Sequence, residues 1–237
     1  MKKTAEVILS PLLINSYDIK DKIVVVIDVF RATTSICVAL ESQFKSIITT
    51  LKIEDAIKLK KEHNLIAGER DGNKLEGFDI GNSPSEIINY KNSFDEIVLT
   101  STNGTKCIEL AYNNFAKEIW IGSLNNVGSI AEKLNKTPEN VVFLCAGWKN
   151  KANVEDTFMA GKCLNEMKEN FDIKSDSCFL AMRLATGETT ELLRNAEHYM
   201  RLKEKGNLND LEICMQINTS SKIPKVISFS SGIAYIG

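Results

Sequence analysis

The sequence predicts an α/β protein, a largely parallel sheet covered by helices, with a helix-rich final third. Three observations carry that prediction. Short apolar runs alternate with segments of helical period between residues 23 and 145. The run 23–29 is almost wholly β-branched, as expected for a strand buried on both faces. From about residue 155 consecutive amphipathic patterns take over.

Taken in order, strands are predicted at 23–29, 46–50, 96–100, 118–122 and 141–145. Helices are predicted between them at 32–42, 53–63, 105–112 and 127–136. The last third reads as helices at 155–170, 175–184, 188–203 and 208–217. Gly187 before Glu188 and Gly206 after a Lys-rich turn supply start and stop signals. A final strand at 226–230 returns to the sheet. No repeat, low-complexity stretch or Pro/Gly-rich linker divides the chain. Residues 1–237 therefore read as one domain, with a candidate subdivision near 150.

The 237 residues are 43% hydrophobic and 25% charged, enough for a sizeable core without staples. A net charge of -2 gives no basic field for nucleic acid or an anionic membrane, so any anion site must be local. The six cysteines include no CxxC pair and mostly sit in apolar runs, which argues against a zinc ribbon and for reduced, buried thiols. The N-terminus is charged early, and no run nears the roughly 18 apolar residues of a membrane span. A cytoplasmic protein is expected.

Chemistry gathers at the predicted strand ends, where open α/β sheets bind ligands. Asp28-Val29-Phe30-Arg31-Ala32-Thr33-Thr34 places an acid, a base and hydroxyls at a helix start, either as an oxyanion cradle or as a helix cap with a local ion pair. Gly68-Glu69-Arg70-Asp71-Gly72 puts an acid beside a base after an apolar stretch. Asn82-Ser83-Pro84 reads as a helix cap with proline at the first helical position. Thr102-Asn103-Gly104-Thr105 and Gly122-Ser123 each read as a strand, polar turn and helix start. Glu155-Asp156 opens a helix, through dipole stabilisation or metal ligation. Carboxylates point to a hard cation such as Mg2+, and arginines with helix starts point to an oxyanion. Together they suggest phosphoryl chemistry.

Several known phosphatase signatures are missing. Asp-x-Asp fails at Phe30, Cys-x5-Arg fails at both Cys145 and Cys178, and no P-loop occurs. His63 and His198 fall in polar helical segments and read as surface residues rather than as a base.

The order of these motifs resembles the 2-phosphosulfolactate phosphatase family. Val26-Ile27-Asp28-Val29-Phe30-Arg31-Ala32-Thr33-Thr34, Gly68-Glu69-Arg70, Gly77-Phe78-Asp79-Ile80-Gly81-Asn82-Ser83-Pro84, Thr102-Asn103-Gly104-Thr105, Gly122-Ser123, Cys145-Ala146-Gly147 and Glu155-Asp156 carry the likeness. Cys214, Asn218 and Ile223-Pro224 extend it towards the C-terminus. Phe30, where leucine is commoner, and the loop Trp148-Lys149-Asn150-Lys151 depart from the pattern. The resemblance implies a three-layer α/β/α fold, a homodimer and Mg2+-dependent hydrolysis of (2R)-2-phospho-3-sulfolactate to 3-sulfolactate and phosphate, a step towards coenzyme M.

On this reading Asp28, Glu69 and Asp156 hold Mg2+, with Glu155 as a further candidate. Arg31 and Arg70 bind the substrate's acidic groups. Thr33, Thr34, Asn82, Ser83, Thr102, Asn103, Gly104, Thr105 and Ser123 supply the remaining donors. Direct water attack is favoured over a phospho-aspartate at Asp28, because the second Asp of the known covalent motif is missing. The alternatives are a phosphatase for another small phosphorylated hydroxy acid and a non-catalytic small-anion-binding protein.

Overall fold

The computed structural model describes residues 2–187 and 189–237. In chain order the strands are β1 (Lys3–Ile8), β2 (Ile23–Ile27), β3 (Ser46–Thr50), β4 (Asn64–Arg70), β5 (Asn73–Lys74), β6 (Glu96–Thr100), β7 (Glu118–Gly122), β8 (Val141–Cys145), β9 (Phe171–Asp172), β10 (Val226–Ser230) and β11 (Ile233–Ile236). The α-helices are α1 (Ala32–Glu41), α2 (Ile53–Lys58), α3 (Pro84–Asn89), α4 (Gly104–Asn113), α5 (Val127–Asn135), α6 (Val154–Met167), α7 (Asp176–Leu184), α8 (Thr189–Arg194), α9 (Glu197–Glu204) and α10 (Leu208–Cys214). No described helix is long and apolar enough to cross a membrane.

The strands form two sheets, not the single sheet expected. One has five strands in the order β7-β2-β8-β1-β9, and every pair is parallel. The other has six, in the order β10-β11-β3-β6-β4-β5. Its centre, β3-β6-β4, is parallel and its flanks are antiparallel.

Alternation along β2 shows how the layers stack. Ile23, Val25 and Ile27 enter a core with Ile130 and Leu134 of α5 and Phe158 and Leu164 of α6. Val24 and Val26 face the other way, towards Ile36 of α1, Ile108 of α4, and Ile47, Leu65 and Ile97 of the second sheet. That sheet's far face packs Ile48, Ile66 and Val98 on Ala56 of α2. The implied α/β/α sandwich is present around the parallel sheet. A second sheet and an outer helix add to it, with Ile36 of α1 and Ile108 of α4 packed in the core that joins the two sheets.

Three local differences follow from side chains rather than from periodicity. Helix α2 stops at Lys58 instead of 63: Asn64 donates to the Leu59 carbonyl and accepts from the Lys61 amide, closing a turn. The helix predicted over 188–203 is two, α8 and α9, separated at Ala196, whose backbone is extended. That break lets Leu193, Tyr199 and Leu202 all bury in one core. The predicted start at Glu188 lies outside the described residues. All six cysteines are free and buried, as expected, and burial pushes the Cys37 thiol up to about 12.

Candidate active site

In-phase registers bring the strand ends level. Ile27 of β2 pairs with Cys145 of β8 and Gly122 of β7, so Asp28, Ala146 and Ser123 leave one sheet together. Thr100 of β6 pairs with Gly68 of β4, so Ser101 and Glu69 stand level at the carboxyl end of the other. The carboxyl ends of β2, β8, β4 and β6 open onto one small cleft.

Asp28 forms its floor and is buried. Burial raises its carboxyl to about 6; Glu69 and Glu155 push the same way, while His198 and the Ala32 amide pull it back. Helix α4 starts against it. A Cβ on Gly104 would lie 2.8 Å from the Ala32 Cβ and 3.1 Å from Asp28 Oδ2, so only glycine permits that approach. Asn103 caps α4 by position without a side-chain cap bond, which leaves its amide group to the cleft it lines. Arg31 is also buried, paired through Nη1 with Asp210 and bonded to Asn207 Oδ1 at 3.0 Å. Asp210 accepts in turn from Ser83 Oγ at 2.7 Å and from Ser85 N and Oγ at 3.1 and 2.6 Å. No described acceptor meets Arg31 Nη2 or Nε.

The opposite edge comes from the β4–β5 hairpin. Its loop is Asp71-Gly72, both at positive φ, a pairing suited to a two-residue turn. Glu69 Oε2 accepts the Gly72 amide at 2.6 Å, and Oε1 accepts from Thr102 N and Oγ1 at 3.3 and 3.4 Å. A second tight turn presents Trp148 and Lys149. Trp148 and Lys151 exchange backbone hydrogen bonds across Lys149-Asn150, again both at positive φ. Gly147 is required before it, since a Cβ there would come within 2.1 Å of the Lys151 carbonyl oxygen. The last wall is α9, with His198, Arg201 and Leu202. Arg201 lies over the Trp148 ring at 5.2 Å and donates to the Asp71 carbonyl.

Of the residues singled out in the sequence, Asp28, Arg31, Glu69, Asn82, Thr102 and Asn103 line the cleft. The others do not. Arg70 turns away: Nη1 donates to its neighbour's carbonyl and Nη2 to Leu51 O and Thr100 Oγ1. Thr33 accepts the Asp28 amide and Thr34 donates to the Val29 carbonyl, so both fasten the strand–helix turn. Ser83 caps α3, Gly104 provides the close approach to Asp28, and Thr105 donates to Ser101 O. Ser123 is fully buried beside the Asn125-Asn126 clamp that holds residues 213–222, and its Oγ has no described partner.

Asp156 and Glu155 lie behind the cleft. Asp156 Oδ1 accepts from Val29 N, and Oδ2 from Gly147 N and Asn153 Nδ2, which ties the ends of β2 and β8 together. Burial, with Glu155 and Asp28 nearby, holds its carboxyl well above the usual range. Glu155 Oε1 meets His198 Nδ1 at 3.0 Å. His198 is therefore a buried cleft residue, not the surface residue expected, whereas His63 is exposed. Asp210 and Arg201 were missed by sequence reasoning, which also gave no role to Asp71 of the Gly68–Gly72 motif. Asp-Gly was a hairpin signal for the last, but no local pattern marks the helical pair.

Among the described residues no three His, Cys, Asp or Glu side chains are placed to hold a metal between them. Mg2+ asks for less: it keeps several waters and uses one or two carboxylates plus substrate phosphate. Asp28 and Glu69 fit that demand. Asp156 lies outside the cleft lining, its two oxygens tying the ends of β2 and β8 together.

The family model described as "2-phosphosulpholactate phosphatase" matches residues 8–228. A protein from Caldanaerobacter subterraneus subsp. tengcongensis named "Probable 2-phosphosulfolactate phosphatase" is 33% identical, over 90% of this chain and 91% of its own. Proteins of the same name from Carboxydothermus hydrogenoformans and Thermotoga maritima are 36% and 35% identical, over 87% and 86% of this chain and 87% and 88% of theirs. The matches run through both sheets and past the helical wall of the cleft, and on that extent the chain belongs to the 2-phosphosulpholactate phosphatase family.

Proposed function

We propose that this protein is a Mg2+-dependent phosphatase that hydrolyses a small, multiply acidic phosphate ester, with (2R)-2-phospho-3-sulfolactate as first candidate. The observation that carries the reading is Asp28, a buried carboxylate facing a cleft whose other walls supply Arg31 and Arg201. An acid and cations around one small cleft suit a metal-bound phosphate better than an anion alone. Family membership and the relatives' names support the substrate. The coenzyme M route and the homodimer rest on the resemblance, the cytoplasmic setting on the charged N-terminus and short apolar runs, and all three belong to the same proposal.

Asp28 and Glu69 are the side chains that would hold Mg2+. Bound there, the ion supplies charge neutralisation at phosphorus and acidifies the attacking water. Arg31, steered by Asp210, offers its free guanidinium edge to phosphoryl oxygens. Asn103 and the amides at the start of α4 take the oxygens on the opposite side. Asn82 and Thr102 complete the rim. Water attacks phosphorus directly; a trapped acyl phosphate on Asp28 would overturn that route.

The test is phosphate release from 2-phospho-3-sulfolactate by purified protein in Mg2+ and in EDTA. Release in Mg2+ alone is expected. No release from this ester or from an aryl phosphate would contradict the reading and favour an anion-binding protein.

A further inference from the structure

His198 and Glu155 have no part in the chemistry above, yet they form the most constrained pair beside the cleft. The imidazole is 7% exposed, and its Nδ1 lies 3.0 Å from Glu155 Oε1. Asn153 Nδ2 donates to the same oxygen at 2.9 Å. Glu155 is fully buried, and its Oε2 meets no partner among the described residues. Trp148 stacks on the ring at 5.6 Å and 15°, and Phe30 packs edge-on at 6.1 Å. These contacts fix the ring plane and assign the Nδ1 proton to Glu155. Nε2 is the ring's remaining polar atom; no described group bonds it, and it is not sealed from solvent.

Packing alone does not account for this pair. A buried carboxylate with an unsatisfied oxygen is costly, and an apolar pair of similar size would be as stable or more so. What the pair provides is an imidazole fixed in orientation with Nε2 left open, on the wall of a site that must expel an alkoxide.

We propose that His198 is the general acid of the hydrolysis and that Glu155 is its positioning residue, an inference that rests on the phosphatase reading above. The water oxygen bonds to phosphorus. The phosphorus–oxygen ester bond breaks, its electron pair stays on the alcohol oxygen, and that oxygen takes the Nε2 proton. The proton lost by the water reloads Nε2 through solvent, so the ester and water give alcohol and phosphate. Nδ1–H donates to Glu155 throughout.

Leaving-group dependence separates this role from a structural one. His198→Asn and Glu155→Gln would be compared with wild type on 2-phospho-3-sulfolactate, whose alkoxide needs a proton, and on p-nitrophenyl phosphate, whose phenolate does not. Thermal unfolding checks that each variant folds. His198→Asn is expected to lose about 10²–10⁴-fold in kcat/KM on the alkyl ester and less than about tenfold on the aryl ester. Glu155→Gln should show the same bias at smaller size. Equal losses on both esters, or no loss, overturn the inference. Wild type inactive on both overturns the phosphatase reading and this inference with it, and is told apart because the defect precedes any substitution.

Discussion

The two sides of the cleft are built differently. The strand-end side carries Asp28, Glu69 and Asp71, with Glu69 held by the main-chain amides of Gly72 and Thr102. The helical side carries His198 and Arg201 on α9, and α10 reaches across with Asp210 to aim Arg31. The strand ends contribute three acids together with Arg31 and Lys149, and the helices contribute Arg201 and the acid that aims Arg31. On the proposed reading a ligand between them would be oriented as well as bound, with a cation towards the strand-end acids and its anionic oxygens towards the arginines.

Removing the floor acid should break this arrangement most severely. Asp28→Asn is expected to reduce turnover by at least about 10³-fold, the scale of losing one main electrostatic element. The same change should stabilise the metal-free protein. The folded carboxyl at about 6 lies above its ordinary 3.8, so the native state holds the extra proton between those values and loses stability as pH rises through 6. The difference amounts to about 3 kcal/mol at pH 8, which Asn does not incur. Chemical unfolding in EDTA at pH 4 and pH 8 would check both sign and size; a less stable variant at pH 8 would contradict the burial argument.

Cutting the brace on the other side comes next. Asp210→Asn leaves Arg31 buried without its counter-ion and frees Ser83 and Ser85. A loss of about 3–5 kcal/mol is expected for a broken buried pair, along with a raised KM. Unchanged stability would mean that Arg31 finds another partner. A smaller effect belongs to Arg201→Ala, which removes a rim charge: KM should rise several-fold with little change in kcat, less so in high salt. The smallest belongs to Ser123→Ala. Its hydroxyl is buried without a partner, so activity should hold and stability stay within about 0.5 kcal/mol or improve.

The same division governs how far the sequence could be read. The strand-end side is local: Asp28, Glu69, Thr102 and Asn103 each lie within a few residues of an apolar run, although the strand before Glu69 was not predicted. Even there pattern did not distinguish Arg31 from Arg70. Both follow an acid at a strand end, but one enters the cleft and the other bonds carbonyls behind it. That choice depends on Asp210, more than a hundred residues further on. His198 was misjudged for a related reason: the polar helix around it is amphipathic, and what its inner face meets is set by tertiary packing. The second sheet escaped notice because the partner of each helix is not encoded in that helix's period.

The most direct test of the two-sided cleft is a crystal structure with Mg2+ and inorganic phosphate. The account predicts Mg2+ at about 2.1 Å from oxygens of Asp28 or Glu69, with phosphate bridging the ion to Arg31 and His198. Mg2+ bound instead at Asp156, or phosphate seated at Ser123 or Arg70, would contradict it.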